Sequence, residues 1–386
     1  MSPDFALSRR GLLTGAAALA GAGALPVHAA DPTFRFGLAL PLTGPQALYG
    51  ADQITAAQWA VADINKSGGI NGKKFDVLVL DTQADPQVGI QAASRIVNVD
   101  KLPVFIIAWS DVVKAAAPIA NDSKTTALVV GANSPNIAKL GPYVYTTFPL
   151  ADIDIPALVQ FLVQQRHKKR AAVLFVNNEI GIAGSDIYRD AFTKLGGQVV
   201  AFEAYDSKAT DFTGAILKLR AANPDTIHIQ GQVSDTPQII AQMRQLGLNQ
   251  TVTSYSAIFN PQFIKALGAA AEGVIATSLA PDPQDSPKVA AYVDRWKKEK
   301  GREPNGLPYT EYLYDAPYLI ADVFRAMDKA GTPLTGENFR AEMLKIGTFD
   351  SPLTGSTTIL PDHTVKKPVY LMEVKNGAWV QAATMA

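Results

Sequence analysis

Between Phe34 and Pro86 an apolar run, a glycine-bearing turn, a helical pattern, a Gly-Gly stop and a second apolar run follow one another without interruption. Few folds accept that order. Phe34 to Leu40 reads as a buried strand that ends at Pro41. Thr43, Gly44, Pro45 and Gly50 supply the breakers of the turn. Ile54, Ala57, Val61 and Ile64 then recur at helical spacing on one face. Gly68 and Gly69 stop this helix, because glycine takes left-handed geometry without a steric penalty. Phe75 to Leu80 is the next strand, and Pro86 suits the first turn of a further helix. A right-handed βαβ unit results, with its loops at the carboxyl ends of parallel strands, where ligands of such sheets sit.

The motifs within this stretch, Pro41-Leu42-Thr43-Gly44, Ala60-Val61-Ala62-Asp63-Ile64-Asn65 and Gly68-Gly69-Ile70-Asn71-Gly72-Lys73-Lys74, followed by Asp81 and Asp85-Pro86, form a signature. It resembles the amino-terminal signature of the type I solute-binding proteins of bacterial ABC importers, in the branch of the leucine/isoleucine/valine-binding protein. The similarity runs through nearly the whole mature chain. It implies an α/β fold of two doubly wound, Rossmann-like lobes joined by three hinge crossings, but not the ligand.

Before that stretch, Ser8-Arg9-Arg10-Gly11-Leu12-Leu13 leads into a run of Ala, Gly and Leu that ends in Pro26-Val27-His28-Ala29-Ala30. A charged front, an apolar middle and small residues before a cut make residues 1–30 an export signal. The paired arginines point to the twin-arginine route, a plain secretory signal being the alternative. Cleavage is expected after Ala29 or Ala30. The chain has no cysteine, so neither a lipid-bearing cysteine nor a disulfide is available. The mature protein is therefore expected free in the periplasm, as a monomer. Lys plus Arg and Asp plus Glu each number 35, and no basic stripe interrupts that balance, which argues against nucleic acid as a partner.

The mature length suits two domains. Residues 31–147 with 280–355 are assigned to lobe 1, and 148–279 with 356–386 to lobe 2. Crossings are expected at 143–149, around 277–281, and within 353–368. Ala171 to Val176, the glycines at 181 and 184, a helix and Gly196-Gly197 repeat the opening architecture in lobe 2.

Candidate site residues come from strand ends. Val104 to Ile107 is an apolar run typical of a covered parallel strand, and it leads through Trp109 into Ser110 and Asp111. Ala127 to Val130 is followed by Asn133, Ser134 and Pro135. Ser110 and Ser134 can each cap a helix, or each offer a hydroxyl and first-turn amides to an anion. In the family resembled, these two loops hold the ligand's carboxylate, which implies Trp109, Ser110, Asn133 and Ser134, with Tyr49 nearby. Trp109 suits an apolar or aromatic ligand wall.

In lobe 2 the resemblance places the family's two tyrosine positions near Ile180 and Gln232, and its ammonium-pairing acidic residue near Ser256, beside Tyr255. A buried ammonium without a carboxylate partner loses several kcal/mol. An aromatic or aliphatic acid is therefore expected ahead of an α-amino acid, unless Asp111 or Asp235 takes the acidic role. His167, His228 and His363 stand in no metal-ligand spacing, and no nucleophile elbow, phosphate loop or dinucleotide fingerprint is present. Neither a cofactor nor an enzymatic activity is expected. The expected function is that of a substrate-binding component delivering a small carboxylate to an ABC permease. A branched-chain or other amino-acid binder is the alternative within that class, and a sensory ligand-binding module is the alternative outside it.

Overall fold

The computed structural model describes residues 33–284 and 286–385, so the expected export signal lies outside the described residues. The first sheet is built from β1 (Phe34–Leu40), β2 (Phe75–Asp81), β3 (Val104–Ile107), β4 (Thr126–Val129) and β5 (Val144–Thr146). They lie in the order β2-β1-β3-β4-β5, all parallel. Helices α1 (Ala47–Lys66), α2 (Pro86–Ser94, extended by a wide turn through Val99) and α3 (Ser110–Asp122) make the crossovers that parallel pairing demands.

The second lobe opens with α4 (Ala151–Gln160). It continues through β6 (Arg170–Val176), α5 (Glu179–Lys194), β7 (Gln198–Tyr205), α6 (Thr213–Ala221) and β8 (Thr226–Gln230). Then come α7 (Thr236–Gln245), β9 (Thr251–Ser254), α8 (Pro261–Leu267) and β10 (Ile275–Ser278). The parallel part of this sheet runs β7-β6-β8-β9-β10, the same winding as the first. The repeat reaches down to single residues. Gly50 in the first turn of α1 and Gly181 in the first turn of α5 sit so close to the end of the preceding strand that a Cβ would collide with the carbonyl oxygens of Pro41 and Val176.

The chain then returns through α9 (Pro287–Lys300), α10 (Tyr309–Lys329) and α11 (Gly336–Ile346). Three short strands follow, β11 (Thr348–Phe349), β12 (Thr357–Ile359) and β13 (Val365–Lys366). They pair only with one another, in the order β11-β12-β13. Residues 357–366 therefore pair outside the second sheet, in the stretch where the third crossing was expected. The chain enters that sheet at β14 (Val369–Lys375), antiparallel to β10, and ends with β15 (Ala378–Met385). Among the described residues no helix is long and apolar enough to cross a membrane.

One residue of α10 touches all three crossings. The Tyr312 ring packs edge-on against Phe148 of the first crossing, centroids 4.9 Å apart. Its hydroxyl donates to the Leu279 carbonyl of the second at 2.6 Å. The Lys367 ammonium of the third lies 5.3 Å from the ring centroid. One turn on, Asp315 accepts the amides of Leu353 and Thr354 and the Thr354 hydroxyl, while Lys367 Nζ donates to the carbonyl oxygens of Thr354 and Gly355. Burial pulls the Lys367 amine down to about 8, so the nearby Asp315 offsets only part of the cost of burying it.

Tyr312→Phe removes the bond to Leu279 alone and is expected to cost about 1–2 kcal/mol in urea unfolding. Tyr312→Ala, which also leaves a cavity at the junction, is expected to cost about 3–5 kcal/mol.

Candidate functional site

The carboxyl ends of the two parallel sheets face each other and enclose a cavity of about 180 Å³. From lobe 1 come the β1–α1 turn (Gln46, Tyr49, Gln53), the β3–α3 junction (Trp109, Ser110, Asp111) and the segment after β4 (Gly131, Asn133). Tyr309 closes this side from the start of α10. From lobe 2 come Asn178 and Ile180 at the start of α5, Gln232 after β8, and Tyr255 after β9.

Seven of the nine residues singled out from the sequence thus line one space: Tyr49, Trp109, Ser110, Asn133, Ile180, Gln232 and Tyr255. Ser134 and Ser256 do not. Ser134 Oγ donates to Glu179 Oε1 at 2.9 Å, and Ser256 Oγ is paired with the Tyr309 hydroxyl at 3.2 Å. Gln46, Gln53 and Tyr309 were not anticipated. Gln46, the residue just before α1, and Gln53 fall two turns apart at the inner end of that helix, a register invisible until the helix is docked.

Trp109 carries the backbone irregularity of the site. It has φ 64° and ψ 119°, a conformation costly for a bulky side chain and found where surrounding structure over-determines it. That twist ends β3 abruptly and opens α3, whose first-turn amides lack acceptors within the helix, with Ser110 and Asp111 in the cavity wall. Ser110 Oγ accepts the Ser134 amide at 3.3 Å, so its proton remains available to a ligand.

The walls are aromatic and carboxamide rather than charged. Tyr255 spends its hydroxyl on the Gly231 carbonyl, and Tyr309 stacks on Phe148 at 5.0 Å, leaving ring faces as wall. Burial raises the Tyr49 phenol, which stays neutral. Among the described residues no Lys, Arg or His lines the space, and Asp111 is its one carboxylate. Asp111 Oδ1 accepts the Glu179 amide at 3.3 Å, and burial raises its carboxyl above the ordinary range. Asp235, the other acid considered from the sequence, does not line the cavity; it accepts the Gln232 amide at 2.7 Å. Three buried carbonyl oxygens, Gln46 Oε1, Gln53 Oε1 and Asn133 Oδ1, have no hydrogen-bond partner among the described residues. Such acceptors call for a donor.

Residues 33–378 match the periplasmic binding protein family. The chain belongs to that family. Its members bind solutes for ABC transporters and are not enzymes. Over 337 residues the chain is 28% identical to the leucine-, isoleucine-, valine-, threonine- and alanine-binding protein of Pseudomonas aeruginosa, covering 87% of this chain and 88% of that one. The fold is shared with the branched-chain amino acid transporter substrate binding protein of Streptococcus pneumoniae, solved with isoleucine. The TM-score is 0.81 at 21% identity, covering 92% of this chain and 99% of that chain. It is shared equally with a solute binding protein of an ABC transporter from Rhodopseudomonas palustris, solved with 3,4-dihydroxybenzoic acid. There the TM-score is 0.79 at 24% identity, covering 92% of this chain and 97% of that chain.

Behind Asn133, at the hinge, Asp154 is fully buried, and its carboxyl is pushed up to about 7 by desolvation, only partly opposed by Thr277 and Asn133. A carboxyl with a raised folded-state pKa binds its proton more tightly in the native state. Its contribution therefore favours folding at low pH and is lost as pH climbs from about 4 to about 7. Asp154→Asn removes that slope. The variant's unfolding free energy relative to wild type is expected to improve between pH 4 and pH 8 by on the order of 3 kcal/mol, read from paired denaturant titrations.

Proposed function

We propose that this protein is the periplasmic receptor of an ABC importer for a small carboxylate-bearing solute, an aromatic or aliphatic acid rather than an α-amino acid. It would hand its cargo to the membrane permease when the lobes close. The observation that carries the reading is the make-up of the cavity wall: the Ser110 hydroxyl and the start of α3 on one side, and aromatic rings on both lobes. A helix start and a hydroxyl suit a carboxylate without a formal cation. Apolar cavities of about 150 Å³ take benzene, so about 180 Å³ has room for one ring-sized solute. The unpaired carboxamide oxygens of Gln46 and Gln53 favour an acid that carries a hydroxyl donor away from its carboxylate.

A specific observation supports a second reading. Asp111 lies in the wall and could pair with the ammonium of an amino acid. The relative from Pseudomonas aeruginosa is named for amino acids, which agrees with that alternative.

A thermal-shift panel of benzoate, 4-hydroxybenzoate, phenylacetate and isovalerate against leucine and isoleucine separates the two. A solute at about 100 times its Kd stabilises the fold by about 2.7 kcal/mol, and the acids are expected to produce that shift. A response to leucine or isoleucine alone, abolished by Asp111→Asn, replaces the acid reading with the amino-acid one.

A further inference from the structure

Glu179, the first residue of α5, reaches out of lobe 2 and is held entirely by lobe 1. Its Oε1 accepts the Ser134 hydroxyl at 2.9 Å and the Asn136 amide at 2.8 Å, and its Oε2 accepts Lys114 Nζ at 2.8 Å. Its own main-chain N–H donates to Asp111 Oδ1 at 3.3 Å. Asn178 caps α5 through the Gly181 amide, which leaves the Glu179 side chain free of the usual first-turn role. Of the lobe 1 groups bonded to Glu179, Asp111 lines the ligand cavity, and Ser134, Asn136 and Lys114 do not. The Glu179 side chain is 13% exposed, whereas Lys114 is 60% exposed, so the hydroxyl and amide bonds weigh more than the screened ion pair. Burial alone would raise the Glu179 carboxyl, yet the bonds from Lys114, Asn136 and Ser134 hold it below the usual range.

We propose that Glu179 is a positioning residue for ligand capture, a latch that closes lobe 2 on lobe 1 through Ser134, Asn136 and Lys114 without touching the ligand. The inference rests on the reading that the ligand binds between the lobes, but not on which ligand it is. Closed and open forms exchange, and a ligand retained by the closed form binds with an affinity reduced by the fraction not closed. A latch that favours closure therefore raises the closed population of the unliganded protein. It also tightens every ligand by the same factor, whereas a residue in the cavity wall changes ligands unequally.

The test begins without ligand. Small-angle scattering of unliganded wild type, Glu179→Ala and Glu179→Gln is compared, with the thermal midpoint of each. Glu179→Ala is expected to give a larger radius of gyration at a nearly unchanged midpoint. Glu179→Gln keeps an acceptor for Ser134 and should fall between. A role confined to stability would move the midpoint and leave the scattering alone. For whichever of 4-hydroxybenzoate and leucine binds, Kd is expected to rise about tenfold in Glu179→Ala, through a faster off-rate. If Glu179→Ala does not fold, the pair Ser134→Ala with Asn136→Ala removes two of the three side-chain contacts from the other lobe and is expected to shift the scattering in the same direction. Superimposable scattering from wild type and a folded latch variant overturns the proposal, whatever solute the cavity takes. Failure of every panel acid to bind bears on the ligand reading and leaves the scattering comparison intact.

Discussion

A two-lobed protein linked by three chain segments keeps its alignment only if those segments are held together, and here Tyr312 does it. Its ring meets Phe148, its hydroxyl bonds the Leu279 carbonyl, and Lys367 rests on its face. Asp315 extends the junction by collecting the amides of Leu353 and Thr354. Because α10 starts at the cavity with Tyr309 and runs past every crossing, the ligand wall and the hinge share one rigid element. A ligand that presses on Tyr309 presses on the helix that ties the three crossings together.

The cavity follows from a constraint of parallel pairing. Each strand must leave the sheet through a helix before it returns, so all helices start at the same edge. Setting two such edges against each other produces a space ringed by helix starts. Gly50 and Gly181 permit the helices to begin directly on their strands, which keeps Gln46, Tyr49, Asn178 and Ile180 within reach of a shared guest. Among the described residues those walls carry carboxamides, a hydroxyl and aromatic rings, with Asp111 as their one carboxylate.

The βαβ winding, the glycine stops and the covered strands were legible because periodicity and breaker residues act locally. Trp109, Ser110 and Asn133 were legible too, as polar or aromatic residues just past apolar strands. Ser134 misled because its cap role and its hydroxyl were visible, while the residue that would claim the hydroxyl stands 45 positions along the chain. The small sheet of 348–366 was not legible for a similar reason. β12 and β13 are too short to display an alternation, and their partner β11 lies on the lobe 1 side of the crossing.

By itself the sequence determined the succession of strands and helices, the repeat of one winding in two halves, and the kind of side chain at each strand end, since all of these rest on near neighbours. Only the tertiary structure decided which strand-end groups face the cavity and which are spent between the lobes. Ser110 and Ser134 are the same residue in nearly the same local setting, yet one lines the cavity and the other binds Glu179. That division depends on where the opposite lobe comes to rest, and no local pattern carries that distance.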